Sequence, residues 1–465
     1  MIRLIAQREF TEFVRDGRLL WAGGIMLLLI VTALGVGWQR QSHLHAERHA
    51  AQHLDYEDWL KQDERHPHDA AHQGMHVFKP EPPLSIIDPG IGPYVGSTIW
   101  LQAHRQSEVK FRPAQDATGL QRFGTFSAAW LVQILAPLLI IVFGFNAFAG
   151  ERELGTLRQL MSLGVSSRAL LWGKALALAM GIGVLLVPGV VVAAAAVVIE
   201  SEPGRLLDSA LRFLMLGLAY AVYLAITVFV VLAVSARASS SRVALISLLA
   251  LWIVGVLLAP RVMSDLSRHV YPSPSRTEFA SDLSTDLKSE HDKAWREQFG
   301  VSTGWGPDLP LSKWGVALQV NDHVGYGVLD RHFGALWDTF EKQQRMQEWA
   351  GLLIPVLAVR SLSMGLSGTD FVQHRDFSVA AERQRRVVQD IMSHDLIDHA
   401  DPLGDRHFAY QADKELWAKV PPFDYQTPSL AVVLRHHWSG FAILSAVLAA
   451  AVALALLFVP RRLPL

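Results

Sequence analysis

Residues 149–177 read AGERELGTLRQLMSLGVSSRALLWGKALA. A strongly apolar run, 127–149, ends as this stretch begins, and a second, 175–199, starts as it closes. Lipid offers no partners for free backbone groups and a bilayer core needs roughly 20 apolar residues per helix, so both runs are predicted as membrane helices. A short charged helix between two such helices sits at a membrane face. The rest of the chain extends this pattern. Further apolar windows occupy 19–38, 213–234, 243–260 and 439–459, six in all. The fold class predicted is an all-α membrane protein with six transmembrane helices.

Composition agrees. Of 465 residues, 51% are hydrophobic and 18% charged, and the mean hydropathy is +0.24. A net charge near −1 gives no reason to expect a nucleic-acid partner. The chain has no cysteine, which excludes disulfides, thiolate metal sites and a cysteine nucleophile. The first window follows a long amphipathic lead and lacks a small-x-small cleavage site, so it is read as an uncleaved anchor.

Lys and Arg favour the cytoplasmic side of short loops. Arg3, Arg8, Arg15 and Arg18 lie in the N-terminal segment, and Arg152, Arg158 and Arg168 in the opening stretch. Arg237 and Arg242 follow span four, and Arg461 and Arg462 close the chain. With six crossings these segments share one face, so both termini and segment 150–168 are expected to be cytoplasmic. Loops 39–125 and 261–437 then lie outside and are expected to build a mainly helical extracytoplasmic domain. Helical patterning is read for 39–60, with Leu44, Ala51, Leu54 and Trp59. It is also read for 276–299 (Phe279, Leu283, Leu287), 328–349, and 377–399 (Ala380, Val387, Val388, Ile391). The apolar stretch 351–359 is too short to cross and is read as a buried or interfacial helix of the outer domain.

Within the opening stretch, Leu154, Leu157, Leu160, Met161 and Leu163 form an apolar stripe. Glu151 and Glu153 stand where a helix start favours anions, with Arg158 further along. Gly155 interrupts good helix formers and is read as a point of close backbone approach. A short helix with one apolar and one charged face fits a groove on another protein.

These residues carry a resemblance. Glu151-Arg152-Glu153-x-Gly155-Thr156-Leu157, then Leu163, Ser166-x-Arg168 and Gly173-Lys174, resembles the cytoplasmic motif of ABC-2 type permeases, although that pattern often has Pro where this chain has Gly164. The N-terminal segment 1–18, with Ile2, Leu4, Ile5, Phe10, Phe13 and Val14, resembles the family's interfacial helix. Phe78-Lys79-Pro80-Glu81-Pro82-Pro83, Arg112-Pro113-Ala114-Gln115-Asp116-Ala117 and Leu366-Ser367-Gly368-Thr369-Asp370 resemble a bacterial subgroup with a large outer domain, related to permeases associated with copper-enzyme maturation.

The resemblance implies a multi-pass subunit of the bacterial inner membrane, among lipids, that does no chemistry of its own. A dimer of ABC ATPase subunits would grip 151–166 and bind the ATP and Mg, with no cofactor in this chain. A second permease copy or a related permease would complete the transporter, other envelope proteins are further possible contacts, and export is the expected direction. The chain lacks G-x-x-x-x-G-K-[ST], since Lys174 is followed by Ala175. Leu366-Ser367-Gly368-Thr369 is read as a coincidental echo of the ATPase signature. The alternatives are a membrane-anchored periplasmic structural or sensory protein, and a secondary carrier. The carrier is disfavoured because the window centres lack ionisable residues.

Gln133, Asn146, Tyr220, Tyr223 and Thr227 are read first as interhelical hydrogen-bonding groups and second as a translocation path. All nineteen histidines fall in the two outer segments. His45, His49 and His53 share a helix face, and His43/His45 and His66/His68 form H-x-H pairs. The first reading is a solvated polar face, and the second is metal binding at His45, His49 and His53.

Overall fold

A computed structural model describes residues 1–110, 112, 126–302, 309–401 and 409–459. Residues 113–117 of the second outer motif, Pro307, Arg461 and Arg462 lie outside the described residues. Six helices are long and apolar enough to cross a membrane: Arg18–Lys61, Ala128–Glu153, Ser167–Glu200, Pro203–Arg237, Ser241–Val270 and Leu430–Phe458, here called spans one to six. The apolar windows fall inside them, except that two overrun by one residue, at Ser127 and Val459.

Span one departs from the expected break at 38/39. It runs 44 residues without interruption, about 66 Å at 1.5 Å per residue. Residues 39–61 contain neither Gly nor Pro, so nothing stops the helix where the apolar run ends. The helix therefore enters the outer body as a strut. Spans one and three cross closely at Gly189, where a Cβ would lie 2.5 Å from Ile30.

Spans two and five each contain a π-helical turn, Leu131–Leu135 and Ile253–Leu258, just ahead of Pro137 and Pro260. Proline lacks the amide that would bond the carbonyl four residues back, and a wider turn accommodates the defect. In span two that carbonyl belongs to Gln133, and it accepts instead from the Tyr223 hydroxyl at 2.8 Å. The next carbonyl, of Ile134, accepts from Trp252 Nε1 at 3.0 Å. Spans four and five thus supply the donors that span two lacks, as backbone buried away from water requires.

The outer body is built from both long loops. Strands Met75–Phe78 and Thr98–Leu101 pair antiparallel, Met75 opposite Leu101, a small sheet absent from the helical expectation. Span one's extension packs on the first strand and helix Phe371–Asp398 on the second, with helix Trp314–Trp349 against Phe371–Asp398 and helix Arg276–Phe299 beyond it. One buried cluster joins Trp59, Met75, Val77, Ile99 and Leu101 of the first loop to Phe377, Ala381, Val388, Met392 and Trp417 of the second. Helix Phe371–Asp398 is rotated from its predicted face: Ala381 and Val388 are buried, while Val387 is 40% exposed. Phe279, Leu283 and Leu287 are half-buried along Arg276–Phe299.

The short apolar stretch forms helix Pro355–Ser367, buried along nearly its whole length. It packs against spans four and six rather than lying on a surface. Thirteen residues give about 20 Å, too short to cross. The outer-loop motifs gather at its end. A Cβ on Gly368 would meet Pro82 at 2.7 Å, and the Ile91 amide donates to the Thr369 carbonyl at 3.0 Å. Asp370 caps the next helix by accepting from the Gln373 amide, and pairs with buried His437 at 2.8 Å. Leu366-Ser367-Gly368-Thr369-Asp370 is thus a joint between helix Pro355–Ser367, here called the wedge helix, and the outer body.

His374, in that joint, is 8% exposed, and its Nδ1 has no hydrogen-bond partner among the described residues. Burial, then the charges of Lys79 and Arg112, push its imidazole down to about 3 against a weaker upward pull from Asp370. Its unfolded-state value is about 6.5. This contribution to stability is therefore present above that pH and is lost as pH falls toward the folded value. Calorimetry should show the Tm falling between about pH 6.5 and pH 4, with a shallower slope for His374→Leu. An unchanged slope would contradict this assignment.

Candidate functional site

The segment after span two is not one helix. Ala149–Glu153 completes the span, Gly155 turns the chain at φ +73°, and Thr156–Ser162 runs on as a separate helix. No atom lies within 4 Å of a Cβ built at Gly155, so glycine serves the left-handed turn rather than the close approach expected. The second helix ends on Gly164 at φ +83°. The Gly164 amide donates to the Met161 carbonyl and the Val165 amide to that of Leu160, at 3.1 Å each, which is a Schellman closure. Glycine at this position therefore gives a defined stop. Ser166 then caps span three by accepting from the Ala169 amide at 3.2 Å. The result is an elbow, residues 149–165.

Three of the elbow's charged residues, half-buried Glu151 and Arg152 and exposed Glu153, are each tied to a different span. The Lys174 ammonium, on span three, is 2% exposed and donates to Glu9 at 2.6 Å and Glu151 at 2.9 Å. Burial raises the Glu9 carboxyl above its ordinary range despite the opposing pull of Lys174. Arg152 donates to the carbonyls of Ala236 and Ala238, which close span four. Glu153 accepts from the Ser241 amide at 3.1 Å and from its hydroxyl at 2.5 Å, at the start of span five. Thr156 donates to the Glu151 carbonyl at 3.2 Å. Ser235 secures the break behind the elbow. Its hydroxyl donates to the Phe145 carbonyl at 2.8 Å and accepts from the Phe148 and Ala149 amides.

The predicted apolar stripe divides. Leu157 is buried, and Leu160 and Met161 pack half-buried on the membrane core. Leu154 and Leu163 stand 79% and 80% exposed, and Arg158 is exposed as well. The elbow therefore presents two bare leucines outward on a base locked to the bundle.

The family described as ABC-2 family transporter protein matches residues 3–461 of this chain. The chain belongs to that family. It is a multi-pass membrane component of a transporter, and such permeases generally work with an ABC ATPase. The search of curated proteins finds no match to it.

In this ABC-2 permease the N-terminal helix spans Ile2–Arg15. Phe13 is buried and stacks on Phe143 at 5.6 Å, and Ile5 and Phe10 pack half-buried. Ile2, Leu4 and Val14 are exposed. Of the five candidate path residues Gln133, Asn146, Tyr220, Tyr223 and Thr227, four form contacts between or along helices. Gln133 donates to the Tyr220 hydroxyl at 3.2 Å, and Tyr220 meets Ser363 of the wedge helix at 2.7 Å. Ser363 in turn donates to Asp88. Tyr223 serves the Gln133 carbonyl, and Thr227 donates to the Tyr223 carbonyl at 3.2 Å. Asn146 lies apart, half-buried near Gly150.

A cavity of about 730 Å³ opens between spans one to four, lined by apolar groups such as Ile182, Leu186, Phe213 and Leu224. Tyr220 lines it; Gln133, Asn146, Tyr223 and Thr227 do not. Among the described residues, no Asp, Glu, Lys, Arg or His does either. His45, His49 and His53 lie along span one's outer extension, with ring centres 6.4 and 4.7 Å apart.

Lys174 was legible as part of the motif, but its partner Glu9 was not, because pairing across 165 residues leaves no local signal. Removing one member of a buried ion pair costs about 3–5 kcal/mol. Lys174→Met should lower thermal stability on that scale. Tyr223→Phe should cost only about 1 kcal/mol, the usual worth of a hydrogen bond between membrane helices. Thermal unfolding in nanodiscs measures both, and equal small effects would contradict the ranking.

Proposed function

We propose that this permease is the moving membrane part of an ATP-driven exporter in the bacterial cytoplasmic membrane. The elbow at residues 149–165 is its contact with a separate ABC ATPase. Both termini and the elbow lie in the cytoplasm, and the outer body lies in the periplasm. Two ATPase subunits bind the ATP and Mg, while this chain holds no cofactor and catalyses no reaction. A second copy or a related permease completes the membrane part, lipids surround it, and other envelope proteins meet the outer body. No nucleic acid takes part.

One observation carries this reading. Leu154 and Leu163 stand bare on an elbow whose base bonds to spans three, four and five and, through Lys174 of span three, is linked to the N-terminal helix. Apolar anchors entering a partner's cleft supply binding energy. The bonds of Glu151, Arg152 and Glu153 to three spans make the elbow a rigid lever, so displacement at its tip moves packed helices as bodies. Residues 151–166 thus act as two short helices joined at Gly155. The absence of Asp, Glu, Lys, Arg and His from the cavity lining agrees with energy delivered by a partner rather than by ion flow through this chain.

The test is the double substitution Leu154→Glu with Leu163→Glu. Losing one apolar anchor costs about 2 kcal/mol of binding, roughly 30-fold in affinity. The double variant should therefore fail to co-purify with its ATPase and lose permease-dependent ATP hydrolysis. Because both side chains are exposed, thermal unfolding should be unchanged. Normal coupling in a stable variant would overturn the reading.

A further inference from the structure

Three imidazoles converge in the outer body, away from the elbow. His68 and His72 stand one turn apart on helix Pro67–Gln73. His104 approaches from the turn after strand Thr98–Leu101. One ring nitrogen from each lies within 4.8 Å of the other two. The Nε2 atoms of His68 and His72 are 3.0 Å apart, and those of His68 and His104 are 3.5 Å apart. Zinc–nitrogen bonds of 2.0–2.1 Å at a tetrahedral angle put ligand nitrogens about 3.3 Å apart. The two measured separations bracket that value. We propose that His68, His72 and His104 form a zinc site with three imidazole ligands and a fourth position open to solvent.

Three independent features support it. First, His104 is oriented by a second residue. Its Nδ1 lies 3.2 Å from Asp322 of helix Trp314–Trp349, and that carboxylate is 3% exposed. An Nδ1–H donated to Asp322 leaves the Nε2 lone pair for the cluster, the carboxylate–histidine–metal arrangement of zinc sites. Second, His104 is the non-glycine residue with positive φ, +62°, among the described residues. Such a conformation costs energy and persists only where its surroundings impose it. Third, the helix carrying the other two ligands is pinned. His66 caps it by accepting from the His68 amide, and Trp314 packs edge-on to the His68 ring at 4.9 Å.

The pair at i and i+4 presents both rings on one face. His72 is exposed and gives an ion a route in, while His68 and His104 are half-buried. The site draws its ligands from the first outer loop and its orienting carboxylate from the second. A bound ion would clamp the two loops together, and this inference does not depend on the transport reading.

The test uses the full chain in nanodiscs, purified without a histidine tag and stripped with chelator. Zinc titration by calorimetry should give one ion per chain and raise the Tm. Cobalt should replace it and give the visible absorption of a tetrahedral site. His72→Ala removes an exposed ligand with little risk to folding and should abolish stoichiometric binding. His104→Ala should do the same. Asp322→Asn should weaken binding about 10–100-fold. Changing His45, His49 and His53 together to alanine should leave one ion per chain. No stoichiometric binding by the folded chain would overturn the site. So would binding unaffected in His72→Ala and His104→Ala, or binding lost only with His45, His49 and His53.

Discussion

A single buried ammonium sets the end of this architecture that carries the elbow. Lys174 lies among apolar helices and is held by two carboxylates, Glu9 and Glu151. Taking an ammonium out of water costs several kcal/mol unless partners close around it. Those partners come from the N-terminal helix and the elbow, so the energetic demand of one side chain positions both against span three. Arg152 and Glu153 extend the same logic to the ends of spans four and five, where unpaired helix termini need ligands. The elbow is rigid because three of its charged residues bond to three different spans.

The same rule governs the apolar part of the molecule. Pro137 removes an amide from span two, and the freed carbonyl recruits Tyr223. Polar residues in the spans are thereby spent on holding helices together, which leaves the cavity apolar. Outside, the continuous first span and the wedge helix Pro355–Ser367 connect the bundle to the outer body. The Asp370–His437 pair and the Ser363–Tyr220 contact lie along that connection. Motion of spans four and six therefore has a direct mechanical route to the periplasmic side under the proposed orientation.

The six spans and the helical class were legible because a run of apolar residues has one solution in lipid. The family was legible in the stretch around Gly155. The internal wiring was not. Glu151 and Glu153 look like surface charges at a helix start, and only the fold shows them facing Lys174 and Ser241. Gly155 and Gly164 could be seen as interruptions, but the sign of φ distinguishes a turn from a close approach. The outer histidines illustrate the limit most clearly. His45, His49 and His53 have the conspicuous helical spacing, whereas the cluster that closes combines His68 and His72 with His104, more than thirty residues on. Sequence spacing registers neighbours along one helix and is silent about a turn folded back onto it.

The account's central claim is that the elbow faces the compartment of the ATPase and is covered by it. The chain contains no cysteine, so Leu163→Cys creates a single labelling site. A membrane-impermeant maleimide should leave that cysteine unmodified in intact spheroplasts. It should modify it in inverted vesicles stripped of ATPase, and fail to do so once the ATPase is restored. Modification from the outer face of intact spheroplasts would contradict the account.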